Sequence, residues 1–99
     1  YAASKHAVIG LTRCWSLELG ARGITVNAVC PGWVDTHSNK IEIRQWAKES
    51  GTSYKERKQE IARPLTLGRF IKPDEVAHLV EFLISMEGSG VTGQVYEIK

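Results

Sequence analysis

Ile24-Thr25-Val26-Asn27-Ala28-Val29-Cys30-Pro31-Gly32 is a β-branched, largely apolar run without clean alternation, closed by a Pro-Gly pair. Such a run predicts a parallel strand buried on both faces over residues 24–30, with Pro31-Gly32 ending it. Upstream, residues 2–19 hold no proline and one glycine, Gly10, and read as a long helix. Gly20 and Gly23 bracket the turn between helix and strand, since glycine accepts the left-handed conformation that stops a helix. Helix, tight turn, buried strand and break is an α/β rhythm. Ligands of such sheets lie beyond the carboxyl ends of the strands, which points to Pro31–Thr36 as the functional edge.

On the first helix, Val8, Leu11, Cys14, Trp15, Leu17 and Leu19 point in nearly every direction, so cover is expected on more than one side. One cover is the helix's own sheet, the other a second helix or a partner subunit. Gly10 is expected where another backbone passes close. Residues 37–63 are rich in Lys, Arg, Glu, Gln and Ser and predict two short helices, about 39–49 and 53–62, broken at Ser50-Gly51. A long polar excursion after the functional edge reads as a substrate-binding lid, or otherwise as a solvated connection. Trp33, Trp46 and Tyr54 either line an apolar pocket or pin this lid to the body. Lys55, Arg57, Lys58 and Arg63 suit an anionic carrier or a solvated helix, because Glu56 and Glu60 are interleaved with them. Pro73, Asp74 and Glu75 start a last helix, whose stripe of Val76, Leu79, Val80, Leu83 and Ile84 faces a core. Gly88-Ser89-Gly90 leads out of it, and Gln94–Ile98 reads as a final strand.

Two strands and about four helices do not close a sheet. The 99 residues are therefore expected to be a piece of one domain whose other strands precede Tyr1. The net charge of +2 is spread along the chain and does not suggest nucleic acid. No run is long enough to span a membrane. Cys14 and Cys30 lack disulfide density and metal-ligand spacing, which reads as small core residues in a reducing, cytoplasmic setting. His6, His37 and His78 show no paired ligand spacing, so no metal is expected.

Tyr1 and Lys5 stand four residues apart at the start of the helix, on one face, as a candidate acid/base pair. A phenol ordinarily ionises near pH ~10, and a cation held beside it favours the phenolate. Ser4 is turned about 100° from Lys5 on the helix and reads as a small polar packing residue.

In order and spacing, four blocks resemble the short-chain dehydrogenase/reductase family. Tyr1-Ala2-Ala3-Ser4-Lys5 resembles its Y-x-A-S-K signature, and residues 23–32 resemble its G-I-x-V-N-x-x-x-P-G strand and turn. Pro73-Asp74-Glu75-Val76-Ala77 and Val91-Thr92-Gly93-Gln94 resemble its last helix and last strand. The resemblance implies the C-terminal part of a Rossmann-like, doubly wound parallel sheet. It implies an NAD- or NADP-dependent oxidoreductase interconverting a carbonyl and a secondary alcohol by hydride transfer. Tyr1 would be the general acid or base, and Lys5 its cation and a donor to the nicotinamide ribose. Pro31 and Gly32 would let backbone approach the nicotinamide, with main-chain groups of Val34 and the Thr36 hydroxyl on its carboxamide. The family's glycine-rich phosphate-binding turn and its catalytic Ser are not in this stretch, so the 99 residues alone are expected to be inactive. A 3-oxoacyl thioester is the first substrate reading; a polyol, acetoin or hydroxyacid, or a non-catalytic truncated chain, are the others. A homo-oligomer, tetramer or dimer, is expected through the first helix.

Overall fold

The computed structural model describes residues 1–99. Helix α1 spans Ala2–Leu19 and passes into a 3-10 turn at Gly20–Arg22. Gly23, at φ 74°, takes the left-handed conformation that redirects the chain, whereas Gly20 stays right-handed at φ −58°. Strand β1 is Ala28–Pro31, α2 His37–Ser50, α3 Tyr54–Ala62, α4 Pro73–Ile84 and β2 Val95–Ile98. β1 and β2 pair in parallel, with Ala28 opposite Val95 and Pro31 opposite Ile98. A parallel pair needs a crossover, and α2, α3 and α4 supply it.

The strand is shorter at its start than expected and longer at its end. Residues 24–27 have no strand beside them to complete a ladder, and side chains take over instead. Val26 N–H donates to Thr92 Oγ1 at 3.0 Å, while Asn27 donates to Val91 O and accepts from Gln94 N–H. Pro31 lies within the ladder, and the pairing runs one residue further, where Gly32 N–H donates to Ile98 O at 2.7 Å.

Thr12 and Ser16, one turn apart on α1, are the buried face of that helix. Gly93 N–H bonds Val26 O, and a Cβ at Gly93 would stand 2.7 Å from Ser16 Oγ. The close backbone approach therefore occurs at Ser16 and Gly93. Nothing in the chain comes within 4 Å of where a Cβ on Gly10 would lie, so no backbone of these residues makes the approach expected there. Val8, Leu11, Trp15 and Leu17 are exposed, as are Val80 and Ile84 on α4, and of the α4 stripe only Leu83 is buried. Cys14 is likewise exposed and Cys30 half-buried, so neither is a core residue in this chain.

The best-buried apolar side chains are Ile43 on α2 and Ile71 in the loop before α4. Ile71 ties that loop to the segment after β1: its N–H donates to Trp33 O and its carbonyl accepts from Asp35 N–H, both at 2.8 Å. A salt bridge sets the loop's path from the other side. Arg69 holds both carboxylate oxygens of Glu75, at 2.7 and 3.1 Å, and Glu75 Oε1 also accepts from Lys72 N–H at the start of α4.

Candidate active site

Tyr1 precedes α1 and Lys5 sits one turn in, so helical geometry alone places the ammonium over the phenol ring, 4.8 Å from its centroid. Hydrogen bonding with the Tyr1 side chain, and then the charge of that group, raises the Lys5 pKa above its ordinary value. Lys5 is thus a fixed cation through neutral pH. Both side chains open onto two shallow recesses. One, about 410 Å³, runs between α1 and β1 and is lined by Tyr1, Ser4, Lys5, Val8, Cys30 and Pro31, among others. The other, about 360 Å³, is formed by Tyr1, Lys5, Pro31, Gly32, Trp33 and Asn39. Tyr1, Lys5, Pro31, Gly32 and Trp33 are therefore brought to one place, at the carboxyl end of β1.

Val34 and Thr36 continue the chain from Trp33, but neither lines the two recesses themselves. The Val34 carbonyl is already engaged, accepting from Thr36 N–H at 2.8 Å and from Asn39 Nδ2 at 2.7 Å. The Val34 N–H takes no part in these bonds. Thr36 caps α2, its Oγ1 accepting from Asn39 N–H at 3.2 Å, which leaves its O–H free to donate. An ammonium, a main-chain N–H and a hydroxyl along one edge suit the ribose hydroxyls and carboxamide of a nicotinamide, so the residues present fit that group. Asn39 was not singled out from sequence. The only signal for it was its place three residues after a Thr that could cap a helix.

Trp46 is not part of the Tyr1 recess. Its ring meets the edge of Trp33 at 6.0 Å, Trp33 in turn leans on Phe70 at 5.5 Å, and Trp46 opens toward Glu49, Ser50 and Arg57. The three rings pin α2 to the loop before α4. Tyr54 lies on α3 beside Lys58, which bonds Asp35 at 3.2 Å and so fastens α3 to the segment carrying Val34 and Thr36. No helix is long and apolar enough to cross a membrane.

A family profile described as enoyl-(acyl carrier protein) reductase matches residues 1–98. A short chain dehydrogenase family protein from Francisella tularensis superposes with a TM-score of 0.92 at 36% identity, over 99% of this chain and 40% of its own. The chain belongs to the short-chain dehydrogenase/reductase family. Its sheet is the corresponding portion of that family's Rossmann-like fold. The chain is 45% identical, over 99% of its length, to 3-oxoacyl-[acyl-carrier-protein] reductase of Thermotoga maritima, of which it covers 35%. A crystal structure of actinorhodin polyketide ketoreductase with NADPH matches at a TM-score of 0.85 and 40% identity, over 99% of this chain and 38% of that one. The chain spans a little over a third of the length of these short-chain dehydrogenase/reductase relatives.

Proposed function

We propose that the full-length protein carrying this chain is an NAD(P)-dependent reductase of 3-oxoacyl thioesters, with Tyr1 as general acid. The observation that carries the reading is the Tyr1–Lys5 pair opening onto the same recess as Pro31, Gly32 and Trp33. Reduced nicotinamide, when bound, supplies the hydride. Tyr1 delivers its phenolic proton to the carbonyl oxygen as that oxygen gains charge, and takes it back when the alcohol is oxidised. Lys5 stabilises the phenolate left behind and holds a ribose hydroxyl with a second N–H. Val34 N–H and the Thr36 hydroxyl orient the carboxamide. Gly32, which carries no side chain, keeps the rim low between them. Trp33 supplies an apolar wall beside the proton donor, and residues 37–63, which carry α2 and α3, close the substrate side as a lid.

The thioester class draws support from the Thermotoga relative and from the actinorhodin ketoreductase. The dinucleotide class draws support from the NADPH bound in the latter. The test is turnover of acetoacetyl-CoA by the full-length protein, followed by loss of reduced-nicotinamide absorbance with NADH and with NADPH. Turnover with one of them is the expected result. Turnover of polyols or hydroxyacids alone would move the substrate class, and no turnover of any carbonyl with either dinucleotide would remove the reading.

A further inference from the structure

We propose that Asn39 is a positioning residue that clamps the Val34–Thr36 segment in the shape that presents Val34 N–H and the Thr36 hydroxyl to a nicotinamide; this rests on the dinucleotide reading above. Asn39 acts twice on one short stretch of backbone. Its side-chain amide donates to Val34 O at 2.7 Å, and its main-chain N–H donates to Thr36 Oγ1 at 3.2 Å. The first bond fixes the peptide plane after Val34. The second fixes the side-chain rotamer of Thr36 and leaves the hydroxyl with a proton pointing away from the helix. Thr36 N–H closes the same loop onto Val34 O at 2.8 Å, so the three residues share one bonded ring. Asn39 also lines the recess that holds Tyr1, Lys5, Pro31 and Gly32, so it stands where a ring held by that rim would lie.

The chemistry of the amide is specific. An Asp of the same size keeps the main-chain N–H for Thr36 but turns the donor into an acceptor facing the Val34 carbonyl. An Ala keeps the helix start and leaves that carbonyl one partner short. Either change should loosen the rim without touching the groups that hold the rest of the dinucleotide.

The test compares binding of NADPH or NADH with binding of ADP-ribose, or its 2′-phosphate, to the full-length protein and to Asn39→Ala and Asn39→Asp. ADP-ribose lacks the nicotinamide, so it reports the remainder of the site. The reduced dinucleotide is expected to bind each variant about tenfold more weakly, the effect of losing one well-placed hydrogen bond to a half-buried carbonyl. The ADP-ribose affinity is expected to stay near that of the unmutated protein, and the melting temperature to fall by only the few degrees that one lost hydrogen bond costs. Equal losses for both ligands would make Asn39 a general structural support and overturn the clamp, as would unchanged dinucleotide affinity in both variants. If Asn39→Ala fails to fold, Asn39→Asp decides by the same comparison. Unmutated protein that binds ADP-ribose and neither dinucleotide would overturn the dinucleotide reading and the clamp together.

Discussion

Lys5→Met separates the two tasks assigned to the ammonium. Without its cation the negative charge that develops on the Tyr1 oxygen loses its stabilising neighbour, so turnover should fall, and cofactor binding should weaken through the lost donor. Turnover at saturating cofactor together with cofactor titration reads both. Lys5→Arg should restore the charge but only part of the rate, because a planar fork cannot take the place of a compact ammonium between phenol and ribose. Unchanged turnover in Lys5→Met at saturating cofactor would mean that the ammonium does not act on the phenol. This pair was legible from sequence because it rests on helical spacing alone, and four residues on a helix are neighbours whatever surrounds them. Asn39 was not legible in the same way. Its role depends on the path of Val34–Thr36, which is set by a bridge to Ile71 far along the chain. Trp46 shows the converse: its size and position suggested a pocket wall, but it packs on Trp33, and of the two only Trp33 lines the recess with Tyr1.

At the level of elements, the start of α4 carries a pH dependence whose sign can be worked out. Hydrogen bonding from Arg69, then from the Lys72 backbone, lowers the Glu75 pKa below the usual carboxylate range. A lowered folded-state pKa means that the carboxylate stabilises the fold above its unfolded pKa, and that this contribution is lost as pH falls through the folded one. In the full-length protein Glu75→Gln should therefore flatten the acid limb of a melting-temperature profile and leave the neutral-to-alkaline limb parallel; an unchanged acid limb would show the Arg69 contact to be too exposed to matter. The same salt bridge shapes the loop that holds Trp33 and Asp35 through Ile71, so it lies one step from the site. Both helices of the polar segment were foreseen within a few residues, because capping Thr and Ser residues and a left-handed Gly51 bound them locally. The strand was misplaced at 24–27 because a ladder is a property of two strands, and Thr92 and Val91 bond those residues in place of one. If α2 and α3 form a lid, Trp46→Ala should raise KM for the thioester several-fold and leave cofactor affinity nearly unchanged. A parallel fall in both would make the Trp46–Trp33–Phe70 stack a support for the rim.

Across the whole molecule, the chain has a radius of gyration of 17.1 Å and extends 56 × 29 × 21 Å. A compact unit of 100 residues has a radius near ~13 Å. The chain is thus more extended than a compact unit, and large apolar side chains stay exposed on α1, where Val8, Leu11 and Trp15 are about half covered and Leu17 is open. The all-round apolar pattern of residues 2–19 foretold that face, but what covers it depends on surfaces outside these residues. We expect subunits of the full-length protein to meet there. Val8→Glu or Trp15→Glu should shift its sedimentation toward smaller species by placing an unpaired charge in the contact. Unchanged assembly for both would exclude α1. The isolated 99 residues should show no cooperative melt, since so little apolar surface is buried among them. The most direct test of the account is the turnover of Tyr1→Phe in the full-length protein, measured beside its cofactor affinity. Removing one hydroxyl should lower kcat by ~10²-fold or more, as expected when general acid catalysis is lost, with cofactor binding and fold retained. A Tyr1→Phe enzyme that keeps most of its turnover would contradict the assignment of Tyr1 as the proton donor.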